Sequence, residues 1–156
     1  MVSTRYSTAM KFFKAADDVD LLGLMAIRSP TCLHYFAPTA SSGPRPPLDN
    51  TTYEAHMNQF GAVAQAFPMT IKEIMEDQTQ NRVMIWATGG ATWKDEAMDS
   101  GLSAEEWKFE GEWMFIFSMD ESGEKIDRVV EFVDTKATDK LRTLMARALG
   151  NVSGKK

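Results

Sequence analysis

Glu131 is the residue of this chain best suited by type and position to acid–base chemistry. It interrupts the apolar run 129–133 and shares one face of a predicted strand with Val129 and Val133. A carboxylate on an apolar face is costly unless it is paired or neutralised, and desolvation suits such a group to general acid or base work. The alternative is a residue at the sheet rim, paired with Arg128 or Lys125.

Two histidines could move protons beside this carboxylate. His56 falls on the apolar face of a predicted helix, and His34 lies in a short segment that precedes a proline-rich stretch. Imidazole changes charge near neutral pH, which suits a proton shuttle. A single core histidine is more often a packing residue held by a hydrogen bond, so both interpretations stay open.

Further candidates would hold the substrate. Arg28 follows an apolar helix and could clamp a substrate oxygen, although a surface arginine at a helix C-terminus is the simpler interpretation. Several aromatic side chains could line a pocket for flat organic molecules, although such residues usually belong to an ordinary core. They are Tyr35, Tyr53, Trp86, Phe109 and Trp113.

The elements that must position these residues begin with helices. Residues 4–26 predict two short helices, and residues 51–67 predict a third with an apolar face and a capping box of Thr51 and Glu54. Residues 37–50 contain four prolines and predict a loop. A loop of this length inside a compact domain is usually functional or mobile.

The second half of the chain predicts strands. They cover 70–76, 83–88, 107–118 with a bend at Gly111, and 125–133, with a polar insertion at 95–106. A closing helix follows at 135–149. Helices, a run of antiparallel strands and a final helix predict an α+β fold, in which a curved sheet closed by helices forms a cone with an interior. Apolar residues on both faces of 113–117 predict that this part is covered on both sides.

Composition narrows the function classes. The chain has 156 residues, which predicts a single domain spanning 1–156, and its net charge of −5 without a basic cluster disfavours nucleic-acid and membrane partners. One cysteine and no apolar signal segment predict a cytoplasmic protein. Motifs for nucleotide, flavin, zinc or calcium binding are absent from the sequence, so we expect no cofactor and no metal.

The segment 28–34 (RSPTCLH), followed by Ala37 and Pro38, resembles a signature of small fungal SnoaL-like proteins of the nuclear-transport-factor-2-like superfamily. The strand 129–134 with its closing helix is similar to the same group. The resemblance implies a homodimeric cone that tailors secondary metabolites without a cofactor. It also implies that Glu131 is a pocket acid or base, with His34 and Arg28 near the entrance.

Three positions depart from what the resemblance implies. Phe109 and Trp113 stand in wall positions where some relatives are expected to carry tyrosine, and Tyr35 stands where several are expected to carry arginine. The electrophilic partner is therefore open, with Tyr35, His34, His56 and Arg28 as candidates.

The preferred hypothesis is an isomerase or cyclase in which Glu131 moves a proton beside a carbonyl or imine of a meroterpenoid, indole alkaloid or polyketide intermediate. Two alternatives use the same cone. One is a non-catalytic binding module, and the other is a scytalone-type dehydratase in which His34 and His56 converge. A homodimer is expected from the two-sided apolar strand.

Overall fold

The structure is a computed structural model that describes residues 2–154. The helices are α1 (Thr4–Asp17), α2 (Leu21–Ala26), α3 (Thr39–Ser42), α4 (Asn50–Val63), α5 (Ala104–Trp107) and α6 (Thr135–Ser153), with a 3₁₀ turn at Asp95–Ala97. The strands are β1 (Arg28–Ala37), β2 (Ala64–Ala66), β3 (Met69–Asp77), β4 (Arg82–Gly89), β5 (Thr92–Trp93), β6 (Gly111–Met119) and β7 (Ile126–Val133).

Five strands form the main sheet in the order β1-β7-β6-β4-β3, and β2 pairs with β5 separately. The sequence predicted an antiparallel run, but β1 pairs with β7 in parallel. The short segment that contains His34 belongs to this ten-residue edge strand. An edge strand tolerates Pro30, because a proline there removes no hydrogen bond from the centre of the sheet.

The inner face of the sheet carries the core. Trp113, Phe115 and Phe117 alternate along β6 and are all buried, as the strand periodicity predicted. Phe12 of α1 packs on this row, with its ring centroid 4.9 Å from that of Phe117. α1 and α2 at one end and α6 at the other close the curved sheet, so the predicted α+β cone is confirmed.

The outer face of the same sheet is open. Its central apolar residues are exposed, with Phe132 at 50%, Met114 at 37% and Trp86 at 36%. The expectation that residues 113–117 are covered on both sides is therefore not met within one chain.

The strand predicted at 107–118 starts four residues later than expected. Ser103 and Glu106 form a capping box that begins α5, and Trp107 ends this short helix with its ring on Trp93. The polar 95–106 stretch is held to α6, where the Arg147 Nε donates to Asp99 Oδ2 over 2.7 Å. The S-x-x-E signal was present in the sequence but was read as part of a polar insertion.

The cap of α4 also differs from its prediction. Asp49 accepts a hydrogen bond from the Thr52 amide over 2.8 Å, whereas Thr51 and Glu54 form no capping box. The helix ends at Val63 and not at 67, because residues 64–66 extend into β2. Within 37–50, α3 occupies four residues, and Leu48 makes an isolated bridge to His34.

Replacing Ser103 with alanine tests which of these caps operates. Loss of the side-chain acceptor at the N-cap should lower the free energy of unfolding by about 1 kcal/mol. Thr51→Ala is the control and should leave stability unchanged, because its hydroxyl makes no hydrogen bond within residues 2–154. Urea denaturation followed by tryptophan fluorescence measures both, and equal losses would contradict the assignment.

Across residues 2–154, no helix combines the length and apolar character needed to cross a membrane.

Candidate active site

A cavity of about 230 Å³ lies between the inner face of the sheet, α4 and α6. Its wall is mainly aromatic and includes Phe36, Phe60, Phe67, Trp113 and Phe115. A few polar side chains interrupt this wall, which is the usual makeup of a small-molecule site. The polar groups that matter for chemistry are Glu131, Tyr53, His56, Arg45 and Arg142.

Glu131 faces this cavity and is held by His34. The His34 Nε2 lies 2.8 Å from the Glu131 Oε2, with side-chain exposures of 1% and 19%. The parallel register pairs His34 with Val129, so the histidine lies diagonally beside Glu131 on the inner face. The alternative partners do not approach the carboxylate. Arg128 stacks over Tyr35 on the outer face, and Lys125 bonds the Ala26 carbonyl.

One hydrogen bond joins His34 to Glu131, between Nε2 and Oε2. An ionised carboxylate can only accept, so against it the Nε2–H of His34 is the donor. The second oxygen, Oε1, makes no hydrogen bond inside residues 2–154 and can accept a proton from a ligand.

A stack of side chains fixes the orientation of His34. Its ring lies parallel to that of Tyr53 at 4.9 Å and 18°, and the Arg28 guanidinium covers the opposite face of Tyr53 at 4.1 Å. Arg28 is 4% exposed and donates from Nε to Asn50 Oδ1 over 2.8 Å. Arg28 does not line the cavity, so the prediction of a substrate clamp is replaced by a positioning role behind Tyr53.

Tyr53 lines the cavity as predicted, and its chemistry is set by burial. Desolvation, followed by the nearby negative charge of Glu131, raises the pKa of its phenol well above the usual value. The group stays protonated at physiological pH and can donate a hydrogen bond to a ligand oxygen.

His56 also reaches the cavity, from the next turn of α4. Its ring meets Phe36 edge-on at 5.7 Å and keeps an exposed edge. Surrounding protein lowers the pKa of His56, against an opposing effect from the Glu131 charge. The ring of Phe36 contacts both histidines, with its centroid 4.9 Å from that of His34 and 5.7 Å from that of His56.

Besides Arg28, three other predicted site residues are not brought to the cavity. Successive residues of a strand point to opposite faces of the sheet. Their neighbours His34 and Ala87 face inward, so Tyr35 and Trp86 point to the outer face. Phe109 is buried behind the wall, with its ring 6.0 Å from that of Trp113. Of the predicted wall residues, Tyr53 and Trp113 line the cavity.

The sequence missed two charged residues that line the cavity. Arg45 belongs to the proline-rich loop, and Arg142 lies on α6. The length of the loop was the one available signal, since long loops in compact domains are usually functional. Arg142 carried no signal, because it sits among ordinary exposed residues of an amphipathic helix. In residues 2–154, no group of three or more His, Cys, Asp or Glu side chains is placed to hold a metal ion.

The chain shares its fold with solved fungal proteins. PrhC from Penicillium brasilianum superposes with a TM-score of 0.77 and 18% identity, covering 97% of this chain and 95% of that one. BvnE pinacolase from Penicillium brevicompactum gives a TM-score of 0.76 and 18% identity, covering 92% and 91%. At these identities the likeness shows the fold alone.

Sequence similarity establishes the family. No protein-family model matches the chain. However, the austinoid biosynthesis cluster protein F of Aspergillus calidoustus is 31% identical over 133 residues, which cover 83% of this chain and 68% of that protein. The chain therefore belongs to the fungal SnoaL-like family of secondary-metabolite proteins, within the nuclear-transport-factor-2-like fold, that includes this cluster protein.

Proposed function

We propose that the protein is an isomerase or cyclase of fungal secondary-metabolite biosynthesis that rearranges its substrate by acid–base catalysis without a cofactor. The observation that carries this proposal is the Glu131 carboxylate, held by His34 and facing an aromatic cavity. The relatives support the setting, since several are named as proteins of austinoid biosynthesis clusters and one structural neighbour is named a pinacolase.

The proposed reaction moves one proton and changes no oxidation state. Glu131 Oε1 takes a proton from a carbon beside a carbonyl or imine, and the phenol of Tyr53 donates a hydrogen bond to the heteroatom that gains charge. The carboxylic acid formed returns its proton at another carbon of the substrate. In a ring closure, the electron pair instead bonds to a second carbonyl carbon, the π bond of that carbonyl opens onto its oxygen, and the oxygen takes the proton back from Glu131. The His34 Nε2–H holds the carboxylate in place throughout.

The aromatic walls serve the same reaction by fixing one conformer of the substrate. Phe60, Phe67 and Trp113 surround the cavity at edge-to-face contacts, with the rings of Phe67 and Trp113 5.4 Å apart. A substrate held between such walls has fewer competing closures, and restricted orientation is a large contributor to intramolecular reactions. We propose an austinoid-like meroterpenoid as the first substrate class, with indole alkaloid and polyketide intermediates as others.

Comparison of metabolites tests the proposal. The gene is deleted from the source strain and restored either as wild type or as Glu131→Gln, and extracts are compared by chromatography and mass spectrometry. We expect the deletion and the variant to accumulate a compound of the same mass as the missing product. Restoration by the variant to wild-type product levels would indicate a binding module. A mass difference of one water would instead indicate a dehydratase.

We further propose that the outer face of the sheet pairs with a second copy of the chain. Phe132, Met114 and Trp86 form a contiguous exposed apolar row across three neighbouring strands. Exposed apolar patches of this kind usually mark protein interfaces.

Phe132→Lys should convert the proposed dimer into a monomer, because it replaces the most exposed apolar side chain of this row with a charge that the interface would bury. Sedimentation velocity at micromolar concentration measures the change. Leu22→Lys is the matched control, since Leu22 is an exposed apolar residue at 83% on α2 and away from the sheet. A wild-type monomer, or a Phe132→Lys dimer, would contradict this proposal.

A further inference from the structure

The charge of the cavity is opposite to the charge of the chain. The chain carries a net charge of −5, yet the charged side chains lining the cavity are two arginines, Arg45 and Arg142, and one carboxylate, Glu131. Glu131 is already hydrogen-bonded to His34. The two guanidinium groups therefore face a cavity whose single carboxylate is already held by His34 through Oε2.

Arg45 is held in place by an aromatic contact and not by an acid. Its guanidinium carbon lies 3.9 Å above the ring of Phe36. Phe36 is the residue of β1 that pairs with Glu131 across the sheet, so the loop carries Arg45 to the part of the cavity that contains the candidate base. Within residues 2–154, Arg45 makes no salt bridge.

Arg142 approaches the same cavity from the opposite wall. Its Nη1 bonds Asp139 Oδ1 over 3.2 Å in a pair in which both side chains are about half exposed. Such exposed pairs contribute little, and the other N–H groups of the guanidinium remain available for a ligand. Partial burial, followed by the charge of Arg142, lowers the pKa of Arg45, against an opposing effect from the Glu131 charge.

We infer that Arg45 and Arg142 together bind an anionic group of the substrate, a carboxylate, at the mouth of the cavity. This inference rests on the proposed function and adds the substrate class. Two guanidinium groups directed at one cavity repel each other unless an anion lies between them, and guanidinium geometry matches a carboxylate in two parallel hydrogen bonds.

The arrangement also orients the substrate. Glu131 carries negative charge and repels the substrate carboxylate, which is consequently directed to the arginines. The neutral part of the molecule is left to occupy the aromatic wall beside Glu131. Binding of the non-reacting anion would thus position the reacting carbon beside Glu131. Enzymes commonly use contacts to non-reacting parts of a substrate in this way.

A pair of probes that differ in one charge tests the inference without any turnover. The dissociation constants of 2-naphthoate and of the neutral 2-naphthamide are measured by calorimetry. Wild-type protein should bind the carboxylate about ten- to a hundredfold more tightly. The double variant Arg45→Gln/Arg142→Gln should bind the two probes almost equally, with the affinity for the amide unchanged. Arg142→Lys should keep part of the preference.

The control removes the same charge from outside the cavity. Arg82→Gln/Lys140→Gln changes two exposed cations, one on β4 and one on α6, and should keep the full preference. Equal affinities in wild type, no binding of naphthoate at millimolar concentration, or a preference that survives in the Arg45/Arg142 variant would overturn the inference. So would an equal loss in the control, because it would show a general charge effect.

The outcome is separable from that of the proposed function. Glu131→Gln should keep the preference for naphthoate while losing turnover. Retained turnover in that variant, together with an intact preference, would remove the catalytic proposal and leave the carboxylate site.

Discussion

Glu131→Gln should lower turnover by about 10²–10⁴-fold, the range expected when a general base is lost. The amide keeps the size of the side chain and can still accept the His34 Nε2–H through its carbonyl oxygen, so the cavity should retain its shape. The affinity for ligand should change little. The measurement is the rate of product formation from the intermediate that accumulates in the deletion strain.

A matched control separates chemistry from charge. Glu112→Gln removes one carboxylate from the outer face of the same sheet, where Glu112 bonds the Trp86 indole, and should leave turnover unchanged. Glu131→Asp keeps the acid but withdraws it from the cavity by one methylene, and should restore only part of the rate. Wild-type turnover in Glu131→Gln would remove Glu131 from the reaction.

His34→Leu should have the second-largest effect, and it should act on both turnover and stability. The substitution removes the donor that holds Glu131 and leaves the carboxylate without its partner, which should lower the free energy of unfolding by about 1–3 kcal/mol. Turnover should fall on the order of 10²-fold, because the base is no longer held in the productive geometry. Steady-state kinetics and urea denaturation measure the two effects.

Coupling to Glu131 distinguishes a positioning role from a general loss of structure. If His34 acts through Glu131, the variant carrying both His34→Leu and Glu131→Gln should be no slower than Glu131→Gln alone. His34→Gln keeps an N–H donor and should recover part of the rate. Independent, multiplicative losses in the double variant would indicate that His34 contributes separately.

The sequence was most informative where the structural signal is local. The alternation of Trp113, Phe115 and Phe117 predicted which side of β6 is buried, and the isolated acid in 129–133 predicted an inward carboxylate facing the interior. Both follow from the two-residue period of a strand, which needs no knowledge of its neighbours. The 3.6-residue period of a helix likewise placed His56 on the face of α4 that lines the cavity.

Errors arose where a partner distant in sequence decides the outcome. β1 is a strand because its backbone pairs with β7. The local sequence did not indicate this pairing, and so it did not indicate which of His34 and Tyr35 faces inward. The partner of Glu131 was sought among nearby basic residues, whereas it comes from 97 residues away. The position of Arg142 at the cavity depends on how α6 packs, which the local sequence does not indicate.

The parallel pairing of β1 with β7 brings His34 to Glu131, so this hydrogen bond forms only when the two ends of the chain come together. β3, β4, β6 and β7 can join in succession through antiparallel neighbours, but β1 must return from the beginning of the chain to the last strand. Closing so long a stretch is entropically expensive and tends to be late. Until that closure, Glu131 has no His34 and the cavity lacks one wall. Under the function proposed above, the acid would gain its partner and its enclosing cavity in the same late step of folding.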